Sequence, residues 1–235
     1  MAHHPRAVSI PPVALKGELC APPNSRGLVI FAHGSGSSRF SPRNRAVADA
    51  LVSAGFATLL FDLLTPEEAE DRANVFDIGL LGTRLADAVA WARVEPDVGA
   101  LPIGLFGAST GAAAAIRAAA KRPADVQAVV SRGGRPDLAG DALSQLSAPT
   151  LLIVGGHDEP VIGLNREALA RIGAPAEITI VPRATHLFEE PGALEQVIAL
   201  AIAWFRTHLA GLSAPTNGQG GYRSSSKNSS DTRMS

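Results

Sequence analysis

Cysteine is nearly missing from the sequence. Cys20 stands alone, which excludes an internal disulfide and a thiolate metal cluster. Net charge is missing too. Lysine and arginine total 21 against 22 aspartates and glutamates, a formal charge of -1 at pH 7. Without a basic excess there is no electrostatic case for nucleic acid or an anionic membrane surface as a partner. No apolar run approaches the ~18 residues that span a bilayer. The opening stretch, MAHHPRAV, lacks the apolar core of a signal peptide. A soluble, cytoplasmic protein is therefore expected, and a lone cysteine fits that compartment. No constellation of metal ligands is evident, and no glycine loop followed by Lys-Ser/Thr is available to cradle phosphate.

What is present is apolar material. Hydrophobic residues make up 46% of the 235 and charged residues 18%. That supports a sizeable core and fits one α/β domain of the larger kind, over residues 1–210. From 211 to 235 Ser, Gly, Asn and Thr dominate. A stretch of that composition buries too little surface to offset its ordering entropy, so a disordered tail is expected.

Within the domain, short apolar runs alternate with helical periodicity. Gly27–Ala32, Phe56–Leu60, Leu101–Phe106, Val126–Val130, Thr150–Val154 and Ile178–Val181 read as strands buried on both faces. Asn44–Ala54, Phe76–Val94, Thr110–Lys121, Arg166–Ile172 and Glu195–Leu209 read as helices, with a short one over Leu138–Leu146. Arg6–Ile10 and Leu15–Ala21 suit a hairpin at one edge. Such alternation predicts a mostly parallel, doubly wound sheet with helices on both faces. Ligands bind such sheets at the carboxyl ends of the strands. His33, Asp62, Ser109, Arg132, Asp158 and His186 each follow a predicted strand, so they should gather on one edge.

Ser109 sits in Gly107-Ala108-Ser109-Thr110-Gly111, a G-x-S-x-G turn between a strand and an alanine-rich helix. That turn projects the serine hydroxyl from the top of a sheet. A serine hydroxyl needs a base to take its proton, and the base needs a partner to fix its tautomer. The order nucleophile, acid, histidine gives Ser109, Asp158 and His186. The other histidines compete poorly. His3 and His4 are terminal, His208 lies within the last helix, and His157 reads as a turn residue. Asp137 and Asp141 come too early for the acid, and Glu159 is its stand-in.

HGSGSS, GASTG, GGHDEPV and ATHLF, each in its place after a strand, together resemble the α/β-hydrolase superfamily, and within it the dienelactone-hydrolase-like group, over Gly27–Leu209. The resemblance implies an α/β-hydrolase fold and cleavage of a small-molecule ester or lactone through an acyl-enzyme, with no cofactor. Dienelactone hydrolase itself uses a cysteine nucleophile. Ser109 therefore sets this chain nearer the serine-dependent relatives. Acyl transfer, amide hydrolysis and a non-catalytic binding role are the competing functions for the same fold.

An oxyanion hole needs backbone N–H groups aimed at developing charge. Thr110, after the nucleophile, supplies one. By resemblance Ser35 supplies the other, with Gly36 as the neighbouring candidate, and His33 should buttress that loop. In Ser131-Arg132-Gly133-Gly134-Arg135-Pro136 two guanidiniums stand near the expected site. Either Arg132 or Arg135 binds an anionic group of the substrate, or they pair structurally with Asp62, Asp137 or Glu189. Arg39, Arg43 and Arg45 read as a solvated helix entry, and Glu67-Glu68 and Glu189-Glu190 as acidic helix starts. The segment between Arg132 and Pro149 is too short for a large cap domain, which leaves Leu63–Val75 as the cover over an open site.

Overall fold

The computed structural model describes residues 4–209, so the expected tail lies outside the described residues. In chain order the elements are β1 (Arg6–Ile10), β2 (Leu15–Cys20), β3 (Leu28–Ala32), α1 (Pro42–Ser53), β4 (Ala57–Phe61), α2 (Pro66–Glu70), α3 (Arg72–Phe76) and α4 (Ile78–Val94). They continue with β5 (Ile103–Ala108), α5 (Thr110–Lys121), β6 (Val126–Arg132), a 3-10 turn (Pro136–Ala139), α6 (Ala142–Gln145), β7 (Thr150–Gly155), α7 (Glu159–Leu169), β8 (Ala176–Val181) and α8 (Ala193–His208).

The strands form one eight-stranded sheet in the order β1-β2-β4-β3-β5-β6-β7-β8. The hairpin β1–β2 joins antiparallel to β4, and every other pairing is parallel. Strand side chains alternate between faces, so the fully buried strands feed two cores. Ile30, Leu59 and Leu105 pack with Leu81, Leu85 and Ile116 of α4 and α5. Val29, Phe31, Phe106 and Val130 pack with Val47, Leu51, Val197 and Phe205 of α1 and α8. The Phe31 and Phe106 rings lie 5.0 Å apart on neighbouring strands. The fold class is the doubly wound α/β-hydrolase sheet expected from the alternation. Among the described residues, no helix is long and apolar enough to cross a membrane.

Several boundaries differ from expectation for local reasons. The helix read over Arg166–Ile172 begins at Glu159, because Pro160 is tolerated in a first turn whose N–H groups have no helical partner anyway. The helix read from Phe76 is two. Asp77 caps α4 by accepting from Leu80 N–H at 2.9 Å, and Phe76 belongs to α3. Between Leu138 and Leu146, Gly140 at φ +62 separates the 3-10 turn from α6. No cap domain rises from this segment. Instead α2 and α3 cover a cavity at the 33–38 loop.

That cover is pinned by its own acidic helix start. Thr65 accepts from Glu68 N–H while the Glu68 carboxylate accepts from Thr65 N–H, a reciprocal cap. Glu68 also pairs with Arg84 of α4 at 2.6 Å. Glu189 and Glu190 behave differently from expectation. They precede α8, whose N-cap is Gly192. Glu189 pairs with Arg43 at 2.9 Å, and Glu190 accepts from Thr185 N–H at 3.0 Å, which holds its carboxyl below the ordinary range. The arginines at the start of α1 are likewise paired: Arg39 with Asp62, Arg43 with Glu189, and Arg45 with Glu18 at 2.6 Å.

Candidate active site

Ser109 follows β5 and N-caps α5 with φ +51 and ψ −123. A non-glycine residue rarely occupies that region, and the strain persists only where its surroundings impose it. The flanking glycines impose it. A Cβ on Gly107 would lie 2.5 Å from Ala112 Cα, and one on Gly111 2.2 Å from the Ala32 carbonyl oxygen. The bend closes because neither glycine has a side chain. The Ser109 hydroxyl makes no hydrogen bond among the described residues.

Asp158 and His186 are brought together by parallel neighbours. β7 and β8 run in register to Gly155 and Val181, and His157 N–H then donates to Ala184 O at 2.9 Å. The histidine loop is thereby tied to the acid loop. His186 Nδ1 lies 2.7 Å from Asp158 Oδ2. A carboxylate there holds the proton on Nδ1 and leaves Nε2 with its lone pair. The Asp158 side chain is 13% exposed and the His186 side chain 38%, so the acid is sheltered and the imidazole open.

The turn after β6 joins the two halves. Ser109 N–H donates to Arg132 O at 3.3 Å, and Arg135 N–H donates to Ser109 O at 3.1 Å. On the other side a Cβ at Gly133, which has φ +52, would lie 3.0 Å from His186 O and 3.7 Å from its Cε1. Ser109 and His186 thus flank one short turn.

The oxyanion loop is tied to the elbow that it faces. Ser35 N–H donates to the Thr110 hydroxyl oxygen at 2.9 Å, so that amide is already engaged. The hydroxyl of the residue after the nucleophile fixes the loop that faces it. Sequence gave no signal for this tie, which spans 75 positions. Gly36 lies beyond it at φ +69, where an added Cβ would meet nothing within 4 Å.

His33 is the expected buttress. Its Nε2 accepts from Leu63 N–H at 3.1 Å, so Nδ1 carries the proton and donates to Gly34 O at 3.0 Å. Both nitrogens are used, which removes His33 as a base. Burial pushes its pKa below the ordinary 6.5, against smaller opposing effects from Gly34 and Asp62. The consequence for stability follows from linkage. Below about pH 6.5 the unfolded chain binds a proton at this position that the folded chain resists, so stability falls as pH drops through that value. His33→Gln is expected to flatten the wild-type slope of unfolding free energy against pH from about 6.5 downward. Identical slopes in denaturant titrations of the two proteins would refute the assignment.

The two arginines separate. Arg135 binds Asp137 through two contacts of 2.9 and 2.7 Å, one of the structural pairings expected. Arg132 pairs with none of Asp62, Asp137 or Glu189. It is 6% exposed and donates to Asn44 Oδ1 at 3.0 Å, and its Nε has no partner among the described residues. Burial, with neighbouring Arg43, pushes its pKa down to about 10. Asn44 was not singled out in the sequence, and only its burial at 2% exposure marks it.

A cavity of about 260 Å³ opens beside this site between the 33–38 loop and the α2–α3 cover. Among the described residues, no group of three or more His, Cys, Asp or Glu side chains is arranged to hold a metal ion.

Comparison with known proteins accords with the fold. A crystal structure of dienelactone hydrolase from Anabaena variabilis is 56% identical, with TM-score 0.84, covering 88% of this chain and 100% of that one. Est1E from Butyrivibrio proteoclasticus shares the fold at TM-score 0.74 and 17% identity, covering 88% and 99%. Two Mycobacterium tuberculosis proteins, each named "Putative phosphoribosyl transferase", are 62% identical over 200 residues. The match covers 85% of this chain but 45% of those proteins, so the chain spans less than half the length of these curated relatives. The family model described as "Dienelactone hydrolase family" matches residues 15–209, and the chain belongs to that family of α/β-fold hydrolases.

Proposed function

We propose that the protein is a serine hydrolase that cleaves a small-molecule carboxylic ester or lactone. In this reading Ser109 Oγ attacks the carbonyl carbon while His186 Nε2 takes its proton, and Asp158 holds the imidazole and stabilises its charge. The carbonyl oxygen, now an anion, faces the backbone N–H groups of Thr110 and Gly36 at the positive end of α5. Collapse of the tetrahedral intermediate breaks the ester C–O bond, and His186 gives its proton to the departing alcohol. Water, deprotonated by His186, then attacks the acyl-enzyme, and the C–Oγ bond breaks as His186 returns that proton to Ser109 Oγ, releasing the carboxylic acid.

The observation that carries the reading is the 2.7 Å contact between His186 Nδ1 and Asp158, which leaves Nε2 as the available base. The strained Ser109 and its two obligate glycines support the same role. A neutral ester suits the site better than an anionic one, because Arg135 is already matched by Asp137 and Arg132 is buried against Asn44. A fluorophosphonate probe is expected to label the wild type at Ser109 and to leave Ser109→Ala unlabelled. Failure to label folded wild-type protein would refute the proposal.

A further inference from the structure

We infer that the outer edge of β8, with the stripe of α8 beside it, is where two copies of this chain pair, strand against antiparallel strand about a two-fold axis at Ile178. β8 ends the sheet. Every residue of β7 is buried, whereas Ala176, Ile178, Thr179 and Ile180 of β8 are only half-buried and Glu177 is exposed. One side of β8 meets β7, and no strand among the described residues lies on the other.

That edge carries regularly spaced main-chain groups. Thr150 N–H donates to Pro175 O at 3.0 Å and Gly156 N–H to Val181 O at 2.8 Å, so the odd-numbered residues here turn their main chain towards β7. Successive residues turn theirs to opposite sides. Ala176, Ile178 and Ile180 therefore direct N–H and C=O outward. Edge strands that stay single are blunted by lysine, proline or a bulge. β8, with the sequence AEITIV, has none of the three, and its register with β7 runs unbroken from Ala176 to Val181.

A second copy is the occupant that these groups fit. A strand edge is its own complement when turned about a two-fold axis, the commonest closed symmetry of soluble oligomers. With the axis at Ile178, Ile178 faces the partner's Ile178 and Ala176 faces the partner's Ile180. Each facing pair exchanges both of its hydrogen bonds. An axis at any other residue of β8 pairs fewer of the outward groups. The lone charge of the strand agrees with this register. Glu177 comes opposite the partner's Thr179, so a carboxylate meets a hydroxyl that can donate to it. An axis at Glu177 would instead set two carboxylates against each other, which is unfavourable. The axis stands perpendicular to the sheet, so both α8 helices lie on one face of the joined sheet. On that face Leu200, Trp204 and His208, four apart on α8, stand half-buried beside Glu177 and Thr179 along a groove of about 430 Å³. Trp204 Nε1 is buried there without an acceptor among the described residues. Pairing sets a second groove, with its own carboxylate and hydroxyl, alongside the first.

The test is sedimentation velocity on the full chain across micromolar concentrations, with hydrogen exchange of the β8 amides measured on the same samples. A dimer is expected. The amides of Ala176, Ile178 and Ile180 should be protected in concentrated protein and exchange freely in dilute protein. Thr179→Glu places a second carboxylate opposite Glu177 on both sides of the axis, and should raise the dimer Kd about ten-fold or more. Adding Glu177→Lys to that variant makes the facing charges opposite, and should return the Kd to near the wild-type value. A monomeric full chain would overturn the inference. So would a dimer whose Kd ignores Thr179→Glu, or whose protected amides lie away from β8. Protection of the β8 amides that is independent of concentration would assign the edge to residues 210–235 of the same chain, and would overturn it as well. Should Thr179→Glu fail to fold by circular dichroism, the exchange of the wild type decides alone.

Discussion

Ser109→Ala is expected to lower kcat on a 4-nitrophenyl ester by a factor on the order of 10⁴ to 10⁶, with little change in KM. Alanine removes one oxygen from an elbow whose backbone is held by Arg132 O, by Arg135 N–H and by the two glycines. None of these supports involves the hydroxyl, so the fold and the cavity should persist. Residual turnover would come from binding and from the amides of the oxyanion hole. Asp158→Asn should cost about 10⁴, because an amide presents a donor where Nδ1–H needs an acceptor and turns the imidazole to the wrong tautomer. The double variant should be hardly slower than Ser109→Ala alone, since an aligned base has no value without its nucleophile. Steady-state kinetics of the three variants, with circular dichroism to check folding, decide the matter. If Ser109→Ala keeps more than about a tenth of the wild-type kcat, the chemistry lies elsewhere.

The parts of this arrangement that were legible in the sequence are those set by local rules. The G-x-S-x-G turn announces a strand-to-helix bend because only glycine tolerates the contacts at 107 and 111. That the loops carrying Ser109, Asp158 and His186 lie along one edge follows from strand alternation, since parallel strands deliver their carboxyl ends to the same edge. What stayed illegible depends on distances between elements. Nothing in Ser35 or Thr110 foretells that a side-chain oxygen will take the amide of a residue 75 positions away. Arg132 looks like any arginine at a strand end, and only the hydrogen bond to Asn44 of α1, 88 positions away, shows how it is held when buried. The arginines at the start of α1 looked solvated for the same reason, because their carboxylates lie on β2, after β4 and before α8. The early start of α7 is a different kind of miss. Pro160 reads as a breaker by composition but is harmless in a first helical turn.

The same logic makes one chemical change carry opposite signs at two sites. Gly111→Ala adds a Cβ that would stand 2.2 Å from Ala32 O and 2.5 Å from His33 O. Both obstacles are backbone, at the end of the central strand β3, and cannot swing aside as a side chain would. Either α5 lifts from the sheet or β3 gives way, and overpacking of this kind costs about 3 kcal/mol or more. For a domain of this size that is a fall in Tm of roughly 6 to 12 °C. Activity should fall further than stability, because His33 begins the loop that carries Gly36, and any shift at its carbonyl moves that amide relative to Ser109. Gly163 lies in the interior of α7, exposed, with nothing within 4 Å of an added Cβ. There alanine meets no obstacle and restricts the unfolded chain, so Gly163→Ala should raise stability by about 0.5 to 1 kcal/mol. Thermal unfolding of the two variants beside the wild type tests both halves. A Gly111→Ala protein that melts with the wild type would mean that β3 and α5 are not in the close contact on which the elbow depends.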